Sequence, residues 1–314
     1  MDARKMDKRR RPNPRLRIAV LVSTVVVLAS MAYSMSTSLA HTDVRRPSIE
    51  VSELPRIAGA ELANSNALYV SPAEQTAALK RLVNRNRPLF CAGKKDYAAL
   101  TFDDGPSSNT PELLKLLKSA GIPATFFVTG KTATDFPQYM SALAEHGAIA
   151  NHSWSHSAFT TLNGKEIKRE LATTQAVITR ETDQDYMAMR PPYGARNSVT
   201  TKTVDKLGYA EILWSADSED GLAKDWRTIA KNTIDGLGPG SVVLMHDRPD
   251  ETLTALRKRV IPAIRRSGLR MVTVPELLVL NPPSAKQLDE GPRGCTHAGE
   301  VNVSGYFGIP KGEG

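Results

Sequence analysis

A chain of 314 residues, 41% apolar and 24% charged, can hold one large α/β domain with tails or two small domains, because single cores stop growing near about 250 to 300 residues. We read one domain with tails. The formal charge of +8 does not describe a nucleic-acid-binding surface, since Met1–Arg17 carries eight Lys or Arg against Asp2 and Asp7 and leaves the remainder only mildly basic. Two cysteines without a Cys-x-x-Cys pair exclude a thiolate metal cluster.

Directly after the basic cluster, Ile18–Tyr33 is uncharged, and a weaker apolar character continues to Ala40. Basic residues ahead of such a run hold the N-terminus inside the cell, so residues 1–40 are expected to export the rest of the chain. An uncleaved membrane anchor is the first reading. A signal peptide cleaved near Ala40 is the alternative, because Ser38-Leu39-Ala40 supplies small residues.

Residues 41–95 read as a stalk with one short helix. Its start is marked by Ser71-Pro72-Ala73-Glu74, an N-cap serine, a proline in the first turn and a capping-box glutamate. Between 96 and 280, apolar strand-like runs alternate with amphipathic stretches: 97–102 then 111–120, 124–129 then 136–146, 148–151 then 165–182. The rhythm continues with 187–190 then 198–207, 210–217 then 227–237, 241–246 then 252–267, and 269–274 then 275–280. About seven βα units with unbroken apolar strands predict a parallel sheet covered on both faces, either a barrel or an open wound sheet. The Gly/Pro-rich tail, 281–314, reads as loop apart from Cys295. Cys91 and Cys295 would be able to pair in an oxidising compartment, closing a long loop.

Polar residues of catalytic type fall where these strands end, the place at which barrels and wound sheets carry their sites. The first strand runs into Asp103-Asp104-Gly105-Pro106. Adjacent carboxylates repel when both are ionised, so the pair makes sense if one neutralises a cation and the other acts on water; a capped turn is the plainer alternative. His152 and His156 are four apart, and one helical turn would bring both imidazoles to one face, where with Asp104 they form a His₂-carboxylate set. Arg190-Pro191-Pro192-Tyr193-Gly194 is a stiff loop whose arginine can pair with a carboxylate. His246, at the tip of an apolar strand, is a candidate general acid.

Thr-Phe-Asp-Asp-Gly-Pro, His-Ser-x-x-His, Arg-Pro-Pro-Tyr-Gly and Leu-Met-His-Asp, in this order from Tyr97 to Leu280, closely resemble the polysaccharide deacetylase family with the NodB homology domain, also called carbohydrate esterase family four. The resemblance implies an α/β fold, a distorted (β/α)7 barrel. It also implies Asp103 as general base, held by Arg190; Asp104, His152 and His156 as ligands of one divalent metal, zinc; and His246 as general acid, oriented by Asp220. Tyr193 would offer its backbone N–H to an oxyanion, and Leu244 would shape the acetyl pocket. One position departs from the family pattern: Gly221 stands where a tryptophan is usual, and Trp226 is the nearest replacement ring.

The implied activity is hydrolysis of N-acetyl groups on an amino-sugar polymer, peptidoglycan or a chitin-like chain. The enzyme would act outside the cytoplasm, anchored or secreted, as a monomer. An O-acetyl esterase acting on xylan or another acetylated glycan is the alternative. An inactive glycan-binding module is a weaker rival, since the six catalytic-type side chains are all retained.

Overall fold

The computed structural model describes residues 69–295 apart from 223 and 224. The expected membrane segment, most of the stalk and the end of the tail lie outside them. Among the described residues no helix is long and apolar enough to cross a membrane.

Eight strands form the core: β1 (Tyr97–Asp103), β2 (Ala124–Val128), β3 (Ala148–Asn151), β4 (Ala188–Met189), β5 (Ala210–Glu211), β6 (Ala216–Asp217), β7 (Val242–His246) and β8 (Arg270–Met271). All pairings between them are parallel, in the order β5-β4-β3-β2-β1-β7-β6, with β8 beside the start of β1. Among the described residues these α-helices pack round the sheet: α1 (Pro72–Val83), α2 (Thr110–Ala120), α3 (Gly130–Asp135), α4 (Met140–His146), α5 (Gly164–Thr182), α6 (Ser198–Leu207), α7 (Trp226–Asp235), α8 (Asp250–Ala255), α9 (Ile261–Ser267) and α10 (Val274–Leu280). The strands are buried on both faces: in β1, Leu100 and Phe102 join the cluster with Leu113 and Leu117, while Thr101 and Asp103 meet the buried Arg190. All five β2 residues are buried.

The expected strand 210–217 is two strands. Its start pairs with β4 and its end with β7, so one segment reaches from one edge of the sheet to the other. Between them Leu213 N–H donates to the Leu89 carbonyl at 2.7 Å and Ser215 N–H to Val242 at 3.0 Å. The sheet thus curls round through a chain that changes partner, which is the distortion of the (β/α)7 barrel. The helix expected over 252–267 is interrupted by a wider turn at Leu256–Val260, just ahead of Pro262, whose ring nitrogen cannot donate to the helical ladder.

Both expected domain limits move outward. Ser71 and Glu74 close the predicted capping box of α1, but Ala78, Leu79 and Leu82 are buried in one cluster with Leu277 and Leu278 of α10. This helix is part of the folded core, not of a stalk. Leu89 also bridges to Ile212, and Ala92 N–H donates to Gly240. At the other end the tail forms a further helix, α11 (Ala285–Glu290), started by a capping box of Ser284 and Gln287. Gln287 Nε2 donates to the Ala92 carbonyl at 2.8 Å, and Cys295 is disulfide-bonded to Cys91 across a separation of 204 residues.

Candidate active site

Parallel strands point all their C-terminal ends one way, so the loops after β1, β3, β4, β6 and β7 meet at one mouth. Asp103 and His246 are register partners at the ends of β1 and β7. A cavity of about 430 Å³ opens there, lined by Asp103, Asp104, His152, His156, Tyr193, Leu244 and His246 among others. Of the seven non-glycine residues with positive φ among those described, Asp104, Ser153, His156, Tyr193 and Glu219 belong to these loops. Such backbone costs roughly 1 to 3 kcal/mol per residue, so its concentration marks a functional site independently of the motifs.

Asp103 is buried, and its Oδ1 accepts from Arg190 Nη1 at 2.6 Å. Arg190 is wholly buried yet fully employed. Nη1 also donates to Thr101 Oγ1, Nε to the Ile212 carbonyl and Nη2 to the Leu213 carbonyl, while the guanidinium lies 4.1 Å from the Phe127 ring centroid. A buried charge held this way fixes its carboxylate partner in place. The other Asp103 oxygen, Oδ2, lies 3.5 Å from His152 Nε2.

His152 and His156 do not lie on a helical turn as expected; they sit in the loop after β3. Asn151 Oδ1 accepts from Ser153 N–H, and Ser153 Oγ accepts from His156 N–H, both at 3.0 Å. Such side-chain bonds satisfy the backbone locally and displace the helix. The rings still converge, with centroids 5.0 Å apart. His152 Nδ1 faces the Arg190 carbonyl at 2.8 Å, which requires the proton on Nδ1 and leaves Nε2 with a lone pair. That nitrogen lies 3.7 Å and His156 Nε2 3.2 Å from Asp104 Oδ1, a buried oxygen without a hydrogen-bond partner. Burial, then the neighbouring His152, pushes His156 down to about 4, so it is neutral near pH 7. Burial alone would raise the Asp104 carboxyl, but the facing His152 and His156 leave it lowered. One oxygen and two nitrogens within 4.8 Å of one another fit a divalent cation, which would supply the missing partner of Oδ1.

Glu170, on the buried face of α5, was not read from the sequence as functional. Its Oε2 accepts from Trp154 N–H at 2.9 Å and Ser155 N–H at 2.7 Å, anchoring the histidine loop. The only sequence signal was an acid on a face otherwise carrying Ile167, Leu171 and Thr174.

His246 Nδ1 meets Asp220 Oδ1 at 2.6 Å, and Thr252 Oγ1 donates to the other Asp220 oxygen at the same distance. Burial would lower His246, but the hydrogen bond and charge of Asp220 raise it to about 9. Tyr193 follows two prolines at φ 61° and sets its ring edge-on to His156 at 4.6 Å. Leu244 is buried in the cavity wall beside Trp214, whose Nε1 donates to Asp217 Oδ2 at 3.1 Å. Trp226 does not replace the missing ring: it opens α7, packs on the core and carries Arg227 and Lys258 over its face. Gly221 and the exposed Leu222 line the cavity instead.

The sequence matches the polysaccharide deacetylase family over residues 92–212. It is 33% identical over 189 residues to a peptidoglycan-N-acetylglucosamine deacetylase of Bacillus cereus, covering 58% of this chain and 68% of that protein. It is 35% identical over 181 residues to the peptidoglycan-N-acetylglucosamine deacetylase PgdA of Listeria monocytogenes, covering 57% of this chain but only 38% of that one. The crystal structure of the Bc1960 peptidoglycan N-acetylglucosamine deacetylase superposes with a TM-score of 0.58 at 31% identity, over 62% of this chain and 94% of that one. A parallel barrel with this carboxylate and histidine constellation at its mouth, matched along nearly the whole of a solved relative, places the chain in the polysaccharide deacetylase family.

Proposed function

We propose that the protein is a metal-dependent hydrolase that removes N-acetyl groups from an amino-sugar polymer outside the cytoplasm and releases acetate. The observation that carries this reading is the grouping of the Asp104, His152 and His156 donor atoms within 4.8 Å of one another, with Asp103 beside them and His246 across the β1–β7 pair. Asp104, His152 and His156 would hold the ion, for which zinc is the proposed identity. When bound, it supplies Lewis acidity that polarises the acetyl carbonyl and acidifies water.

The protein's own groups account for the proton traffic. Arg190 ties up one Asp103 oxygen and leaves Oδ2, on the His152 side, to take a proton from the attacking water. The Tyr193 N–H donates to the carbonyl oxygen as it gains charge. Leu244 accommodates the acetyl methyl. His246, oriented through Nδ1 by Asp220, gives a proton from Nε2 to the sugar nitrogen, so a neutral amine leaves instead of an amide anion. Water and amide become acetate and amine, and Asp103 and His246 return to their starting states by proton exchange with solvent.

The segment 18–40 is the proposed membrane anchor, or the signal lost by cleavage near Ala40. The decisive experiment is acetate release by the segment 42–314, supplied with zinc, from peptidoglycan and from N-acetylglucosamine oligomers, beside Asp103→Asn. Release abolished by the substitution and by chelation is expected. No release from either polymer, with metal bound, sinks the N-deacetylase reading. The wall left open at Gly221 favours a second reading, ester hydrolysis on xylan or another O-acetylated glycan. An alkoxide departs with less help than an amide anion, so His246→Ala would keep most ester activity and little amide activity.

A further inference from the structure

Arg248 lies two residues beyond His246 and lines the same cavity, while the Asp247 side chain between them is buried. Its side chain is exposed but its backbone is fixed. The Arg248 carbonyl accepts from Asn109 Nδ2 at 2.6 Å, Pro249 follows, and Asp247 N–H donates to the Asp103 carbonyl at 3.1 Å. Arg248 also lines an adjoining cleft of about 430 Å³, with Lys131 and Phe136. Asp135 is the one carboxylate lining that cleft. Among the described residues, neither Arg248 nor Lys131 has a carboxylate within ion-pair distance. Of the acids lining the catalytic cavity, Asp103 is held by Arg190, Asp217 by Trp214 and Glu219 by Asn232, while Asp104 faces the two histidines and feels the Arg248 charge without an ion pair to it.

A cation held at the boundary of two cavities, and without an ion pair to the protein, is placed to meet an anion on a ligand spanning both. The position of that anion follows from the chemistry. His246 serves the sugar nitrogen and Leu244 the acetyl methyl, so a residue beyond His246 at the cavity rim meets substituents of the sugar. We infer that Arg248 is a specificity-determining residue that binds a carboxylate on the glycan, next to the amine being freed. This rests on the deacetylase reading and names its substrate class: an acidic N-acetylated polymer, such as a peptidoglycan strand with carboxylates on its lactyl and peptide substituents, in preference to a neutral N-acetylglucosamine chain.

A matched pair of substrates tests this. Acetate release by the full-length zinc-loaded protein is measured on a peptidoglycan-derived oligosaccharide with free carboxylates, on the same compound with its carboxylates amidated, and on an N-acetylglucosamine tetramer. The acid-to-amide ratio of kcat/KM is expected to be up to about fivefold at low salt, as for an exposed ion pair. It should fall towards one in Arg248→Ala, survive in part in Arg248→Lys and shrink as salt is raised. Loss of the Arg248 charge also acts on Asp104, but both glycans share that effect and it cancels from the ratio. A wild-type ratio near one, or a ratio unmoved by Arg248→Ala, overturns the inference and leaves the deacetylase reading standing. No acetate from any of the three overturns that reading, and the inference with it.

Discussion

Asp220 grips His246 twice: Oδ1 meets the ring Nδ1 at 2.6 Å, and Oδ2 accepts from the backbone N–H of the same histidine at 2.8 Å. The ring cannot turn without breaking one bond, and its protonated form is stabilised up to about pH 9. Because the folded value lies above the ordinary 6.5, the associated stability is fully present below about pH 6.5 and is lost as pH rises through about 9. Activity that needs the proton should decline over the same upper limit. Asp220→Asn removes the main charge that raises the histidine, leaving burial opposed only by Asp103 and Asp104, so its pKa should drop and at pH 7.5 kcat should fall by roughly 10²- to 10⁴-fold, the usual worth of a general acid. A pH–rate profile whose alkaline limb stays put in the variant would contradict the assignment.

Glu170 anchors the loop that carries both histidines, through two backbone N–H groups of Trp154 and Ser155. Glu170→Ala should weaken zinc binding by about 10- to 100-fold, the range for removing a group that orients metal ligands, and Glu170→Gln by less because an amide oxygen still accepts. Titration against a competing chelator reads this directly. Unchanged affinity would reduce Glu170 to a buried helix residue.

The difference between these two cases shows what was legible in the sequence. Asp103, Asp104, His152, His156, Arg190 and His246 were readable because each lies within a few residues of a strand end, and strand ends share one face of a parallel barrel. Glu170 reaches the site from 15 residues away across a helix, and its one local signal, a place on the face of Ile167, Leu171 and Thr174, marks burial and not a link to the histidine loop. The pairing switch of 210–217 was hidden for another reason: apolar periodicity reports that a segment is buried, not which neighbour it bonds. At 152–156 the i, i+4 spacing suggested a helix, but the short side chains of Asn151 and Ser153 offered the backbone better local partners. The folded tail carried a legible signal, since Ser284 and Gln287 repeat the capping pattern of Ser71 and Glu74; a Gly/Pro-rich composition masked it.

Cys295 packs against Phe90, Leu213, Trp214 and Leu244, so the disulfide to Cys91 ties the tail behind the apolar wall of the cavity. Cys295→Ser should cost about 2 to 5 kcal/mol of stability, as expected for a bond closing a long loop. Denaturant melts of the variant and of the reduced wild type should coincide. KM should rise a few-fold as Leu244 and Trp214 lose their backing, with kcat nearly constant. A fall in kcat at unchanged KM would instead mean that the bond supports the His246 side of the site.

Gly221 lines the cavity at the position where the motif resemblance leads a tryptophan to be expected. A Cβ added there would stand 3.5 Å from His246 Cε1, an ordinary contact, so the first carbon of a side chain fits beside the ring. The backbone at Gly221 is not in the left-handed region, and nothing in its conformation demands glycine. Gly221 lines the open cavity beside the exposed Leu222, so Gly221→Trp is expected to fold and to close that side of the acyl pocket. Wild type is expected to hydrolyse N-propionyl and N-acetyl oligomers at rates within a few-fold of each other, since the missing wall leaves room for one more methylene. The variant should reject the propionyl substrate by roughly 10-fold or more, the discrimination one methylene allows in a fitted pocket. If the propionyl-to-acetyl ratio does not move, the acyl group points away from residue 221, and the methyl site belongs to Leu244 and Trp214 alone.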